Sequence, residues 1–205
     1  MYRSISVKEE EDGTKLIEDF GMRLPSNIRT HASYEDYREN TFNILNKYNI
    51  LAVTSGPYVR DWYQTLPERI IPGIMIEDEF PTLDKLKQSF KREEYKILGE
   101  IAIQYIGMLP SDPKFDPYLS LAEELDVPVC IHMNGGGRGQ VFSWAPKYRA
   151  SLSNPLLLEE TLVRHPKLRL WVAHAGWPML DEMVNMLFTY PKLFVDVSFL
   201  SLIHI

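Results

Sequence analysis

From residue 50 onward the chain alternates between two kinds of hydrophobic pattern. Short, nearly unbroken apolar runs fall at 50–54, 70–76, 96–103, 128–132, 168–174 and 193–198. Between them, at 59–66, 83–92, 118–125, 155–164 and 179–188, apolar residues recur at helical spacing. The runs predict strands and the spaced stretches predict helices. Strands apolar on both faces belong to parallel sheets covered by helices. A further helix is expected over 34–48, capped by Ser33, with Tyr37, Phe42 and Leu45 on its apolar side. Asn154 ahead of Pro155 supplies a cap and a first-turn proline for the helix at 155. Residues 1–32 carry the acidic run Lys8-Glu9-Glu10-Glu11-Asp12 and little periodicity, and are read as an irregular acidic segment.

Strand–helix alternation of this kind fits either a (β/α)8 barrel or a doubly wound sheet. Polar residues recur at the carboxyl ends of several strands, where a barrel gathers its active-site groups, so the barrel is favoured. A closed barrel needs eight strands and typically about 250 residues. The expectation is therefore an α/β fold: an incomplete (β/α)8 barrel of about six parallel strands over 33–199, with the first and last strands missing. At 205 residues and with no shift in composition, one domain is expected.

The candidate chemistry sits at those strand ends. Val129-Cys130-Ile131-His132 ends on a histidine and leads into Asn134-Gly135-Gly136-Gly137-Arg138-Gly139. A neutral imidazole there can ligate a divalent ion, and the glycines leave room for a ligand to approach. His174 ends the run Leu170-Trp171-Val172-Ala173 and is followed by Ala175-Gly176-Trp177-Pro178, a sharp turn into a helix. It suits a second ligand or a general acid/base. For both histidines the plain alternative is a hydrogen bond to a neighbouring loop.

Glu100 interrupts an apolar strand, and a carboxylate is costly to bury unless it meets a metal or a cation. Either a metal site or a structural ion pair would satisfy it. Asp196 in Phe194-Val195-Asp196-Val197-Ser198 poses the same question and is a further site candidate. Arg138 and Arg149 could clamp a substrate carboxylate, or be solvated loop charges, and Trp177 is a candidate substrate contact. The glycine run lacks the lysine and the hydroxyl residue of a phosphate loop. His31 and His165 read as structural, His165 because it falls at a helix carboxyl end where a cation suits the dipole.

Bulk composition narrows the partners. A net charge of −6 speaks against nucleic acid or an anionic membrane, leaving a small-molecule substrate and further copies of the chain as the expected partners. The single cysteine, Cys130, rules out a disulfide framework and reads as a buried core thiol. No signal-peptide core or membrane-length apolar stretch is present, so the cytoplasm is the default expectation.

Several segments together carry a resemblance. They are Leu98-Gly99-Glu100-Ile101, Ser111-Asp112-Pro113, Leu121-Ala122-Glu123-Glu124-Leu125, Val129-Cys130-Ile131-His132, Asn154-Pro155-Leu156-Leu157-Leu158-Glu159-Glu160, Arg164-His165-Pro166-Lys167-Leu168 and His174-Ala175-Gly176-Trp177-Pro178. In this order they resemble the amidohydrolase-related branch of the metal-dependent amidohydrolase superfamily, over roughly 33–199. The resemblance implies a TIM barrel with a divalent metal, commonly zinc, at its mouth. It makes His132 the strand-five ligand and His174 the strand-six histidine, acid/base or further ligand. The implied reaction is hydrolysis of a small amide, ester or lactone by metal-activated water. Some relatives cleave carbon–carbon bonds on the same scaffold, so a metal-dependent decarboxylase is the alternative. The family's His-x-His pair occurs nowhere in the chain, and neither do strand eight and its aspartate. Residues 200–205, Leu200-Ser201-Leu202-Ile203-His204-Ile205, resemble the translation of a sequencing-adapter sequence. A truncated, catalytically inactive fragment with a non-native tail is the third expectation.

Overall fold

The computed structural model describes residues 33–76 and 79–198 in full, and 7–9, 15–17 and 22–24 as backbone strands. His31 and the tail at 200–205, with His204, lie outside the described residues. The segment read as irregular carries three short strands: β1 (Val7–Glu9), β2 (Lys15–Ile17) and β3 (Met22–Leu24). They pair as an antiparallel meander in the order β1-β2-β3. Three residues are too few for a period of two to show beside an acidic run, which is why the pattern hid them.

The remaining elements follow the predicted alternation. They are α1 (Tyr34–Lys47), β4 (Ala52–Thr54), α2 (Val59–Thr65), β5 (Ile70–Ile76), α3 (Leu83–Lys91), β6 (Ile97–Ile101), α4 (Asp116–Glu124), β7 (Val129–His132), α5 (Glu159–Arg164), β8 (Leu170–Ala173), α6 (Leu180–Thr189) and β9 (Leu193–Val195). Ser33 caps α1 by accepting from Asp36 N–H at 3.1 Å. Asn154 accepts from Leu156 N–H, but the turn it caps is 3-10 over Pro155–Leu158 before α5 takes over.

Six parallel strands lie in the order β4-β5-β6-β7-β8-β9, each new strand beside the last. A doubly wound sheet would reverse direction at a switch point; this order never does. The fold is an incomplete (β/α)8 barrel. Its core runs through Leu98, Ile101, Val129, Ile131, Leu170 and Val172 on the strands to Leu86, Leu119 and Met183 on the helices and Phe115 just before α4. Each is nearly solvent-free, and truncating one such side chain to alanine typically costs about 2–5 kcal/mol. A smaller cluster, Leu45, Val59, Trp62, Leu66 and Ile70, seats α1 and α2 against β5. No helix among the described residues is long and apolar enough to cross a membrane.

Two strand runs end earlier than their apolar composition suggests, and both shortfalls shape the site. β6 stops at Ile101, and Ile103–Ile106 coil into a 3-10 turn. β9 stops at Val195, so Asp196 lies just beyond the strand.

Candidate metal centre

Glu100 owes its direction to an irregular strand. Leu98 pairs with Val129 and Ile101 with Ile131, so β6 fits two residues where β7 has one; the same mismatch occurs against Ile74 and Ile76 of β5. This is a β-bulge at Gly99-Glu100, a device that re-aims a side chain. Gly99 has φ +152°, and a Cβ there would meet Cys130 Cβ at 2.6 Å and Cys130 O at 2.8 Å. Only glycine lets the bulge press this closely on β7.

His174 is aimed by a different distortion. At the end of β8, His174, Ala175 and Gly176 all take left-handed conformations, with φ of 60°, 48° and 68°. Left-handed backbone costs a non-glycine residue roughly 1–2 kcal/mol, so neighbouring bonds must hold it. Asp196 Oδ1 accepts from His174 N–H at 3.0 Å, and His174 O accepts from Trp177 N–H at 2.9 Å. Gly176 fits because a Cβ would meet Pro155 Cγ at 2.6 Å.

These distortions bring Glu100, His132 and His174 together. His174 Nε2 lies 3.6 Å and His132 Nε2 3.8 Å from Glu100 Oε1, and the two imidazoles cross edge to face with centroids 4.9 Å apart. One ligand atom from each residue falls within 4.8 Å of the others, a group that could hold a metal ion.

Electrostatics separates the two histidines. Burial pushes the His132 imidazole down to about 4, with Glu100 pulling the other way. His132 is thus neutral near pH 7, the form that ligates. For His174 the Glu100 carboxylate raises the pKa against burial, with the Ser198 carbonyl adding to the rise. His174 Nδ1–H donates to the Ser198 carbonyl at 3.1 Å and lies 3.0 Å from Ser198 Oγ, whose hydroxyl donates to Asp196. Burial would raise the Asp196 carboxyl, but bonds from Ser198 and His174 hold it below its usual range.

The donor set fits a divalent metal on three counts. Glu100 Oε1 is buried and has no hydrogen-bond partner, an expensive state for a carboxylate oxygen that a cation would relieve. In both histidines a protein group engages Nδ1 and Nε2 lies beside Glu100; His174, donating Nδ1–H to a carbonyl, is held as ligating imidazoles usually are. The Nε2–Oε1 separations are close to the about 3.4 Å that two ligands keep around one tetrahedral ion.

Of the residues singled out in the sequence, Glu100, His132 and His174 converge. Asp196 stands behind His174 as its backbone anchor. Arg138 is exposed on the glycine loop, and exposed Arg149 donates to the carbonyls of Pro146 and Tyr148 at 3.0 and 2.6 Å, strapping its own loop. Half-buried Trp177 ties two loops, its carbonyl accepting from Gly135 N–H at 2.9 Å. Gly136 N–H donates to Tyr148 Oη and Gly137 N–H to Gln140 Oε1, both at 2.7 Å, so these glycine amides bond inside the protein instead of forming an anion cradle.

Sequence reasoning passed over Gln104, Tyr105 and Ser198. Gln104 is 2% exposed and its amide meets His132 Nδ1. Tyr105 lies 3.4 Å by its hydroxyl from His132 Nε2, and its ring packs with Trp144 and Tyr148 at 4.9 and 5.7 Å to form an aromatic wall. The available signal was an amide in the otherwise hydrophobic Ile103-Gln104-Tyr105-Ile106.

Comparison with known proteins places the chain in a family. Residues 54–202 match the family model described as amidohydrolase. An uncharacterised TIM-barrel protein from Bordetella bronchiseptica superimposes with a TM-score of 0.61 at 17% identity, covering 78% of this chain and 58% of its own. A probable 2-pyrone-4,6-dicarboxylic acid hydrolase from Acinetobacter baumannii, solved with citric acid bound, gives 0.52 at 15% identity, covering 95% and 68%. The chain thus spans roughly three fifths to two thirds of the length of these structures. No curated protein matches the sequence.

Proposed function

This chain belongs to the amidohydrolase family, and from that premise we propose a metal-dependent hydrolase acting on a small amide, ester or lactone, with zinc as the ion. The observation that carries the proposal is the buried, unbonded Glu100 Oε1 faced by two imidazole Nε2 atoms at 3.6 and 3.8 Å. In this reading Glu100 and His132 hold the metal. A bound ion supplies Lewis acidity, polarising the scissile carbonyl and making water nucleophilic near neutral pH.

The chain's own groups divide the remaining work. Burial lowers the His132 pKa and Glu100 raises that of His174. Two like groups pushed apart in this way read as a neutral ligand and a proton carrier. His174 therefore moves the proton at Nε2, while Ser198 and Asp196 fix its ring and backbone. The wall of Tyr105, Trp144 and Tyr148 bounds the substrate and excludes water beside His132. Arg138, at the tip of the glycine loop, is the candidate contact for a substrate carboxylate.

Metal analysis and an activity panel test the proposal together. Purified chain loaded with zinc is expected to retain it stoichiometrically and to hydrolyse members of an ester, lactone and amide panel. His132→Ala should lose the ion, whereas His174→Ala should keep it and lose turnover. Carbon dioxide release from a carboxylated unsaturated substrate, with the panel untouched, would replace hydrolysis by decarboxylation. A chain that retains no metal at all overturns the proposal.

A further inference from the structure

Gln104 occupies an unusual place for a long amide. It lies in the 3-10 turn directly after β6, the strand that bears Glu100, between residues that are largely apolar. It is 2% exposed. A buried amide left unbonded costs roughly 1–3 kcal/mol, so its neighbours decide whether it is tolerated. The neighbour it meets is His132 Nδ1.

We infer that Gln104 is a positioning residue that sets the ring orientation and tautomer of His132 and so determines which nitrogen is offered at the Glu100–His174 cluster. The inference rests on the metal-site reading above. With Nδ1 engaged by the amide, the other ring nitrogen, Nε2, is the atom 3.8 Å from Glu100 Oε1. In the orientation seen, the amide NH2 donates to a bare Nδ1, leaving the ring proton on Nε2, the nitrogen beside Tyr105 Oη and Glu100. Ligation through Nε2 needs the other tautomer, with the proton on Nδ1. A half-turn of the amide puts its carbonyl where the NH2 stood and accepts that proton without moving the ring. An amide serves both states from one place. A carboxylate serves only the Nδ1–H state, and a hydrocarbon neither.

Three proteins separate these cases: the parent, Gln104→Glu and Gln104→Leu. Two measurements are made on each after thermal melting confirms folding. Titration with Co2+ alone, followed in the visible spectrum, reads the affinity for a metal. Imidazole 15N shifts of His132 in the metal-free protein read the tautomer. Q104L is expected to weaken Co2+ binding about 10–100-fold, the usual cost of losing a group that orients a ligating histidine. Q104E should bind within about threefold of the parent or tighter, because it retains the acceptor. In the metal-free parent His132 should carry its proton on Nε2, and in Q104E on Nδ1. Unchanged Co2+ affinity in Q104L overturns the inference, and so does an unchanged tautomer in Q104E. A parent that binds no Co2+ refutes the metal reading instead, and the tautomer comparison then still judges Gln104.

Discussion

Among the described residues, histidine meets carboxylate in two regions, with opposite outcomes. On the outside of the barrel, His165 at the end of α5 is 5% exposed, with Nε2 3.1 Å from Asp116 Oδ1 and Nδ1 3.5 Å from Glu123 Oε2. Each carboxylate has further partners: Arg164 Nη1 at 2.6 Å from Asp116, and Lys167 N–H donating to Glu123 Oε1 at 2.6 Å. Arg164 also donates to the Ser111 carbonyl. At the strand ends, two histidines face a carboxylate whose inner oxygen has no hydrogen bond. The first region is built on the ordinary helix α4 and on His165, the residue that ends α5. The second is built on a bulge and three left-handed residues. A satisfied cluster on relaxed backbone ties elements together, whereas an unsatisfied one on distorted backbone is prepared for something to bind.

The largest expected effect breaks the second region alone. Glu100→Gln keeps the shape of the side chain and removes its charge. Zinc affinity should fall by more than about 100-fold, since even residues that only orient a ligand cost about 10–100-fold. Stability should change by less than about 1 kcal/mol, because a neutral amide is cheaper to bury than a carboxylate. Equilibrium dialysis with zinc and urea denaturation of the metal-free protein measure the two. A variant that keeps its zinc, or loses several kcal/mol, would place Glu100 among structural ion pairs.

The converse substitution targets the first region. His165→Ala leaves Asp116 and Glu123 facing a gap, although Arg164 and the Lys167 amide remain. Breaking a fully buried pair costs about 3–5 kcal/mol. These carboxylates are 28% and 21% exposed, so about 2 kcal/mol is expected here. Zinc affinity should be unaltered. Loss of zinc together with stability would show that the two regions are coupled, and the contrast between them would fail.

The difference between the regions also sets how much the chain revealed before its structure was known. Continuous apolar runs made the parallel strands legible, because burial on both faces leaves few polar residues to confuse the pattern. The strand-end histidines and Glu100 were legible for the converse reason, as polar groups where none should be. What stayed hidden depends on backbone irregularity. Nothing in Leu98-Gly99-Glu100-Ile101 by itself announces that β6 fits two residues against one of β7; that mismatch exists only once the strands are paired. The apolar run through Ile103 concealed the turn that swings Gln104 onto His132. Ser198 was read as the end of a strand that in fact stops at Val195, and only beyond that end does it reach His174. Arg138 and Arg149 stay exposed on their loop, and Arg149 bonds to its own loop's carbonyls.

The smallest effect sharpens the comparison from beneath the site. Cys130 lies on β7 under the Gly99 bulge and is 7% exposed. Burial pushes its thiol up, and the nearby charges of Glu100 and Asp196 push it further. Alkylating reagents attack the thiolate, so both access and ionisation protect this residue in the folded state. Iodoacetamide at pH 8 should leave the native protein unmodified and label it once denaturant opens the sheet, at a rate that follows the opening. Because burial is the leading cause, Glu100→Gln should leave this protection almost intact. Stoichiometric labelling of the native protein within minutes would mean that the bulge opens readily. The unsatisfied carboxylate would then sit on a mobile strand instead of a prepared one.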